Sequence, residues 1–379
     1  MPYKKGFGGQ QGFINFLQLF LNFILFLPPS EHLDFFDASV FMSKLNDNAY
    51  NQTLSKDKPK LKLWTSMGLL LTYKCPAECA FCYYKCGPKK NGLISLAAAI
   101  NAWQGLIAIA GKSAKIHITG GEPFLYWDHL AQLLEIAAKQ QLGDVDMIET
   151  NGCWADNKSD IIEKLKFLDS HNVKKLKISY DPFHAEFIDY HKVKLLYETA
   201  CQVLGTQRVL VRWQEYLEKD LSVKNLSENE KAALFANSLK AHPCRFTGRA
   251  AEKFTQVPAN KEVEEIAKLT CQNAYLSAKG IHIDPYGNVF SGVCSGIIIG
   301  NINEKPLEEI WRDFNPTKKE FLSVLFNKGP VGLLEKAIKD GYQKSRLYLG
   351  KCQLCTALRQ FFFDNGQFRQ IIGPKDCYV

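Results

Sequence analysis

The sequence lacks internal repeats and low-complexity tracts, and its lysines are scattered rather than gathered into a basic stripe. The first absence gives no support for a repeat architecture, and the second argues against nucleic acid as a partner. The net charge of +8 would also suit an anionic cofactor or an acidic peptide. With 379 residues, 46% of them hydrophobic and 23% charged, the sequence predicts a globular protein of about two domains.

The apolar stretch at residues 12–27, GFINFLQLFLNFILFL, is too short to span a membrane as a helix. As a helix it would be roughly 24 Å long, against roughly 30 Å of bilayer hydrocarbon. No small-residue cleavage pattern follows it. A buried or partner-packed helix, a membrane-surface anchor and a cleaved signal all stay open. We expect a cytoplasmic protein in which this stretch contacts a partner or a membrane surface.

Strand and helix patterns alternate at least five times between residues 67 and 242, which is typical of parallel βαβ units. The pattern predicts the α/β class, a partial (β/α)6 TIM-like barrel followed by a smaller C-terminal α+β domain. The predicted bounds are 1–60 for the apolar helix and linker, 61–243 for the barrel and 244–379 for the second domain. In such barrels the chemistry lies at the carboxyl ends of the strands.

The second domain begins with a different pattern. KGIHIDPYGNVFSGVC predicts a hairpin with its turn at residues 285–288. A loop and helix at GNINEKPLEEIW follow, and a terminal region carries the pair KCQLC.

Twelve cysteines lack the even spacing of a small secreted scaffold, so metal or redox chemistry is indicated. Cys75, Cys79 and Cys82 are spaced CxxxCxxC after the first predicted strand, and Cys86 follows. Three interpretations are open. Cys86 closes a zinc site; the loop belongs to a ferredoxin-type electron carrier, whose spacing it matches only in part; or three cysteines hold a [4Fe–4S] cluster with one iron left open.

The motif GGEP follows the second predicted strand, and Phe81 precedes the last cysteine of CxxxCxxC. This combination resembles the radical S-adenosylmethionine (radical SAM) superfamily over about residues 66–215. The resemblance implies that Cys75, Cys79 and Cys82 ligate three irons of a [4Fe–4S] cluster and that the fourth iron chelates S-adenosyl-L-methionine. It also implies reductive cleavage of that cofactor to a 5′-deoxyadenosyl radical, with an electron from a reductant such as flavodoxin or ferredoxin.

The resemblance further implies cofactor-binding roles for the GGEP residues. Phe81 would lie by the adenine, and Gly120 and Gly121 would let the backbone approach the methionine moiety. Glu122 would meet its ammonium group, with Pro123 completing the motif. A buried ammonium needs an anionic or carbonyl acceptor, and glycine permits close backbone contact.

Other strand ends supply further candidates. Asn151, in TNG, either touches the cofactor or forms a turn. Ser179, Asp181 and His184, in SYDPFH, are expected at the barrel mouth, for ribose contact or acid–base work, although Asp181 is also a good turn former. Glu149 is expected to orient substrate or form a salt bridge, and Arg212 to meet the cofactor carboxylate. The catalytic candidates are therefore Asp181, His184 and Glu149, and the further cofactor-binding candidates are Asn151, Ser179 and Arg212.

Some reactive side chains are expected to be structural. His117 is predicted to be a satisfied core histidine, and Cys153 and Cys201 to be packing residues. Cys86 is expected to be a partly buried thiol near the cluster, with a redox role as the alternative.

A second cysteine set, Cys271, Cys294, Cys352 and Cys355, lies in the predicted C-terminal domain. Together with the hairpin and the CxxC pair, it resembles the SPASM/Twitch extensions of radical SAM enzymes. The resemblance implies one auxiliary iron–sulfur cluster, which would take up an electron from the product radical or hold substrate. A four-thiolate zinc site and a site completed by Cys244 or Cys377 are the alternatives.

We therefore expect a radical SAM oxidoreductase that modifies a precursor peptide or protein side chain. The substrate class is an analogy from such extensions. A radical SAM enzyme acting on a small metabolite, an electron-transfer iron–sulfur protein and a zinc-bound scaffold are the alternatives.

Overall fold

The computed structural model describes residues 44–219, 223–254, 261–292 and 294–379, so the apolar stretch at 12–27 lies outside the described residues. Leu45–Val379 form one compact unit. Within the described ranges, no helix combines the length and apolar character needed to cross a membrane.

The described residues contain an eight-stranded sheet with the strand order β5-β4-β3-β2-β1-β6-β7-β8. Neighbouring strands are parallel from β5 to β6, and β7 and β8 are antiparallel to their neighbours. The open, mostly parallel sheet confirms the predicted partial barrel. The strands are β1 Ser66–Leu70, β2 Lys115–Thr119, β3 Val145–Thr150, β4 Leu176–Ser179, β5 Val209–Arg212, β6 Gly280–Ile283, β7 Asn288–Ser291 and β8 Ile298–Asn301.

Helices separate the parallel strands as the alternation predicts. Polar side chains cap several of them; for example, the side chain of Ser95 accepts a hydrogen bond from the backbone of Ala98. The helices are α1 Leu96–Ala110, α2 Trp127–Lys139, α3 Lys158–Ser170, α4 Pro182–Ala185, α5 Tyr190–Leu204, α6 Gln214–Glu218, α7 Glu228–Ala241, α8 Ala250–Lys253, α9 Val263–Ile266, α10 Gln272–Leu276, α11 Leu307–Asp313, α12 Glu320–Lys328, α13 Val331–Lys339 and α14 Lys351–Asp364.

The sixth parallel strand comes from the C-terminal part of the chain. After β5 the chain forms helices, and β6 then pairs in parallel with β1 on the side opposite to β2. The predicted hairpin is confirmed, because β6 and β7 are antiparallel and joined by a tight turn. Both cysteine-bearing parts of the chain thus contribute strands to one sheet, and the carboxyl ends of β1 to β5 meet at one edge.

Candidate functional site

The cysteine loop, residues 72–87, leaves the carboxyl end of β1 and returns close to its own start. Its ends are joined by backbone hydrogen bonds of 3.1 and 3.3 Å. Cys75, Cys79, Cys82 and Cys86 all line one cavity. Burial raises the pKa of the Cys75 thiol, and repulsion from a Cys79 thiolate raises it further. The loop therefore gathers thiols at the edge of the sheet where chemistry was predicted.

Cys86 is 2% exposed and lies beside Cys82. Its backbone N–H donates a hydrogen bond to the Cys82 sulfur at 3.3 Å. A hydrogen bond between the two thiols lowers the pKa of Cys82 and raises that of Cys86. Cys86 is thus a buried thiol in the wall of the same cavity.

The two glycines of GGEP let the β2 end approach the backbone that follows β1. A Cβ on Gly120 would lie 2.7 Å from the carbonyl oxygen of Thr72, and a Cβ on Gly121 would collide with that of Lys74. Gly121 N–H donates to Thr72 at 2.7 Å, and Glu122 N–H donates to Lys74 at 2.9 Å. Glycine is therefore required here for strand-to-strand contact, and both glycines also line the cavity.

Glu122 is fully buried beneath the turn that follows β3. One carboxylate oxygen accepts hydrogen bonds from the Thr150 hydroxyl at 2.8 Å and from the Phe124 N–H at 3.1 Å. The other accepts from the Asn151 N–H at 2.7 Å. Burial raises the pKa of Glu122 to about 7, although the three donors act to lower it. Its partners in the structure are thus protein groups, and Pro123 beside it is buried.

The TNG turn is both an ordered turn and part of the cavity wall. The Thr150 hydroxyl accepts hydrogen bonds from the Gly152 N–H and from the Trp154 indole N–H, each at 3.0 Å. The Asn151 side-chain amide donates to the Cys75 sulfur at 3.4 Å. Thr150 and Asn151 line the cavity.

Asp181 joins the ends of β4 and β5 behind the cavity. It is fully buried; Nδ1 of His184 lies 2.8 Å from one carboxylate oxygen, and Nε of Arg212 lies 3.1 Å from the other. Burial acts to lower the pKa of His184, but attraction to Asp181 and to a Cys79 thiolate holds it well above its usual range. Ser179, His184 and Arg212 line the cavity, whereas Asp181 orients two of them from behind.

Phe81 lies in an aromatic cluster at the cavity wall. Its ring stacks on that of Phe183 at a centroid distance of 5.5 Å. The guanidinium of Arg212 lies 5.4 Å from the Phe81 ring centroid, within cation–π range. The cluster fixes one apolar wall next to Cys79 and Cys82.

Comparison with known proteins identifies this region. Residues 69–205 match the model of the radical SAM superfamily. This part of the chain is therefore similar to a radical SAM domain. This match, which spans the cysteine loop, GGEP, TNG and SYDPFH, implies a [4Fe–4S] cluster and S-adenosylmethionine as cofactors.

A curated relative shares part of this domain. The putative peptide biosynthesis protein YydG of Bacillus subtilis (strain 168) is 29% identical over 136 residues, or 35% of this chain. The chain matches only 41% of the length of that relative.

Two solved structures are also similar. BtrN in complex with AdoMet and 2-DOIA matches with a TM-score of 0.43 and 15% identity, over 71% of this chain and 90% of that chain. AnSMEcpe with bound AdoMet and Cp18Cys peptide matches with a TM-score of 0.38 and 14% identity, over 79% and 97%.

A segment beyond the matched residues holds the cysteine loop in shape. Arg249 donates hydrogen bonds to the carbonyl oxygens of Cys79 at 2.8 Å and Cys86 at 2.7 Å. Gly248 has φ +57, and a Cβ there would collide with the carbonyl oxygens of Cys82 and Tyr83. The start of α8 is therefore a clamp on the loop.

Replacing Arg249 by methionine is expected to weaken iron binding by the loop about 10- to 100-fold, as when a group that orients ligands is lost. The measurement is iron bound per chain across an iron titration, in a background that lacks Cys352 and Cys355. Arg346→Met, at an exposed position, is the matched control and should bind iron normally. Equal curves for both variants would show that the loop does not depend on Arg249.

The inner face of the sheet carries a polar row leading away from the cavity. Lys177 on β4 lies 3.2 Å from Glu149 on β3, and Nε2 of His117 on β2 lies 4.0 Å from the same carboxylate. His282 on β6 contacts the His117 ring edge-on, and the absent side chain of Gly68 leaves room for both rings. Glu149 thus forms a salt bridge and also lines the cavity.

The second cysteine set lines a separate cavity of about 260 Å³. Cys294 follows β7, and Cys352 and Cys355 lie near the start of α14. Cys271 precedes α10; burial raises its pKa to about 12, and the neighbouring thiols add to this by charge repulsion. Neither Cys244 nor Cys377 lines this cavity in the described structure. The four predicted cysteines are thus brought together, although the first and the last, Cys271 and Cys355, are 84 residues apart in the sequence.

Some positions fall outside both cavities. Cys153 and Cys201 are half-buried. In the described part of the chain, no group of three or more His, Cys, Asp or Glu side chains is arranged to hold a metal ion. The two cysteine sets line the cavities instead.

Sequence reasoning missed Arg249, Gly248, Lys177 and His282. The only sequence signal for the clamp is Gly248 before Arg249, and no neighbouring residue indicates that these two contact the cysteine loop. His282 and Lys177 have no motif, and their position follows only from strand pairing.

Proposed function

We propose that this chain is a radical SAM enzyme that cleaves S-adenosylmethionine reductively and abstracts hydrogen from a peptide or protein side chain. One observation carries the proposal. Cys75, Cys79 and Cys82 line the same cavity as the two glycines of GGEP, Thr150 and Asn151 of TNG, Ser179 and Arg212. The thiols and the strand ends that would bind the cofactor therefore share one space.

The donor set fits the cofactors. Three cysteines would hold three irons of the cluster, and the open iron would take the amino and carboxylate groups of S-adenosylmethionine. Thiolates are preferred ligands of iron–sulfur clusters. When bound, the cluster would supply one electron, drawn from a reductant such as flavodoxin or ferredoxin, for the reductive cleavage of S-adenosylmethionine to methionine and a 5′-deoxyadenosyl radical that would abstract hydrogen from substrate.

The chain's own residues would bind and orient the cofactor. Phe81 offers an apolar wall for the adenine, and Arg212, already fixed by Asp181, offers a cation for the carboxylate. Glu122 would act indirectly, because both of its oxygens are used in holding the turn at Asn151. His184 and Glu149 face the cavity and are the candidates for contact with substrate.

The second cavity would hold one auxiliary iron–sulfur cluster on Cys271, Cys294, Cys352 and Cys355. The volume of this cavity, about 260 Å³, exceeds the roughly 150 Å³ of an engineered protein cavity that accommodates benzene. Residues 61–243 and 244–379 would then be the cysteine-loop and auxiliary-cluster parts of the enzyme, preceded by 1–60.

A peptide substrate is supported by the relative named a putative peptide biosynthesis protein. The test uses a peptide encoded by a short reading frame beside this gene. We expect its mass to change and 5′-deoxyadenosine formation to accelerate when it is added to the reduced enzyme. If no neighbouring peptide produces either effect, the small-metabolite alternative is favoured.

The activity itself is tested with the anaerobically reconstituted full chain, dithionite and S-adenosylmethionine. The proposal expects a brown protein that forms 5′-deoxyadenosine. Bound zinc, no colour and no cleavage would identify a scaffold. Bound iron with reversible reduction but no cleavage would identify an electron-transfer protein.

A further inference from the structure

Two buried polar side chains face the second cavity with atoms that lack a partner. Arg359, on α14, is 3% exposed, and Thr247 is 5% exposed. Both residues line the cavity. The Nε of Arg359 and the hydroxyl of Thr247 have no hydrogen-bond partner among the described residues. A buried donor left unpaired costs about 1–3 kcal/mol, and more when it is charged.

The rest of the Arg359 guanidinium is held by neutral groups. One terminal nitrogen donates to the Ser295 carbonyl at 2.6 Å and to the Tyr378 hydroxyl at 3.0 Å. The other donates to the Thr356 hydroxyl at 3.1 Å. No ion pair joins Arg359 to a carboxylate within the ranges that the structure describes, although a buried guanidinium needs an anion.

Two cysteine thiolates of the cavity are among the groups whose negative charge acts on Arg359. Burial acts to lower the pKa of Arg359, but Tyr378 and the Cys355 and Cys294 thiolates outweigh burial and raise it. A cation and an unpaired hydroxyl thus share a cavity with four thiols whose charges repel one another.

We infer that Arg359 and Thr247 are the donors that bind the sulfur atoms of the auxiliary iron–sulfur cluster, and that the Arg359 charge sets its reduction potential. This inference rests on the auxiliary cluster of the proposed function. A cluster with four thiolates gains one negative charge when it takes up one electron. A fixed cation and hydrogen bonds to sulfur stabilise that reduced state, so they raise the potential.

Arg359 also lies on a short connection between the two cavities. It holds the carbonyl of Ser295, and the Ser295 hydroxyl donates to the Tyr83 carbonyl at 2.7 Å. Ser295 follows Cys294, and Tyr83 follows Cys82. One hydrogen bond therefore joins the residues that directly follow one candidate ligand of each cluster. The difference between the auxiliary potential and that of the other cluster would decide which way an electron moves between them.

The experiment isolates the auxiliary cluster in a full-length chain carrying Cys75→Ala, Cys79→Ala and Cys82→Ala. The reconstituted protein is titrated with dithionite and followed by electron paramagnetic resonance. We expect Arg359→Gln to shift the potential to more negative values, and Arg359→Lys, which keeps the charge, to shift it less. Thr247→Val should shift it in the same direction, while Thr247→Ser, which keeps the hydroxyl, should match the parent.

The outcomes separate the two proposals. If the parent binds iron and both Arg359→Gln and Thr247→Val keep its potential, the inference is wrong while the auxiliary cluster stands. If the parent binds no iron, or binds zinc, the auxiliary cluster itself is wrong. Should Arg359→Gln fail to fold, the Thr247→Val and Thr247→Ser pair decides, because valine has nearly the size and shape of threonine without its hydroxyl, whereas serine keeps the hydroxyl.

Discussion

The Cys79→Ala variant is expected to form 5′-deoxyadenosine only at the background level of dithionite and S-adenosylmethionine without enzyme. Cys79 is buried, lies in the cavity with Cys75 and Cys82, and would hold one iron of the cluster. Losing a ligand should exceed the roughly 100-fold effect of losing a group that only orients one. The measurement is 5′-deoxyadenosine by liquid chromatography after anaerobic reconstitution.

Two further cysteine variants make this result specific. Cys201→Ala changes a half-buried thiol on α5 and should retain activity. Cys86→Ala should also retain the cluster, because the proposed mechanism leaves one iron without a thiolate. If Cys86→Ala instead lost the cluster together with all activity, Cys86 would be a fourth ligand and the open-site mechanism would be wrong.

Gly121→Ala is expected to lower the free energy of unfolding by about 3 kcal/mol or more, among the larger effects of single substitutions. A Cβ at this position collides with the Lys74 carbonyl, which is backbone and has to move. The shift would break the hydrogen bonds from Gly121 to Thr72 and from Glu122 to Lys74. The measurement is urea unfolding of the metal-free protein under anaerobic conditions.

Gly280→Ala is the matched control for a glycine at a strand. The nearest atom to a Cβ there lies at 3.8 Å, in ordinary van der Waals contact. Because alanine restricts the unfolded chain, we expect a change between zero and about 1 kcal/mol of stabilisation. Similar unfolding midpoints for the two variants would contradict the steric argument for Gly121.

The alternation of strands and helices was predictable because apolar periodicity is a local property of the sequence. The location of the cavity could be predicted from this alternation, because each of the strands β1 to β4 has, at or just after its end, a residue that lines the cavity: Cys75, Gly120, Asn151 or Ser179. The hairpin of β6 and β7 was predictable for the same local reason. Gathering of the second cysteine set was expected from a family resemblance, and the structure brings its members to one cavity.

The long-range features could not be predicted. Nothing in the residues of β6 specifies pairing with β1, more than 200 positions earlier, because that choice depends on how the helices pack. Arg249 donates to backbone carbonyl oxygens, which every residue has, so its partners cannot be predicted from the residue types in the sequence. The GGEP motif predicted that Glu122 would contact the cofactor. In the structure β2 and β3 are neighbours, and groups at the end of β3 donate hydrogen bonds to both carboxylate oxygens of Glu122.

The pairing of β1 with β6 limits how the parts of the chain before and after about residue 243 can be exchanged between proteins. The C-terminal part cannot be removed as an independent unit, because it supplies β6, which pairs with one edge of β1, the strand that leads into the cysteine loop. A recombinant front half ending near residue 243 would present β1 as a bare, apolar edge, and such edges recruit strands from other chains. Chimeras that exchange substrate preference should therefore keep residues 280–291 with the barrel they came from.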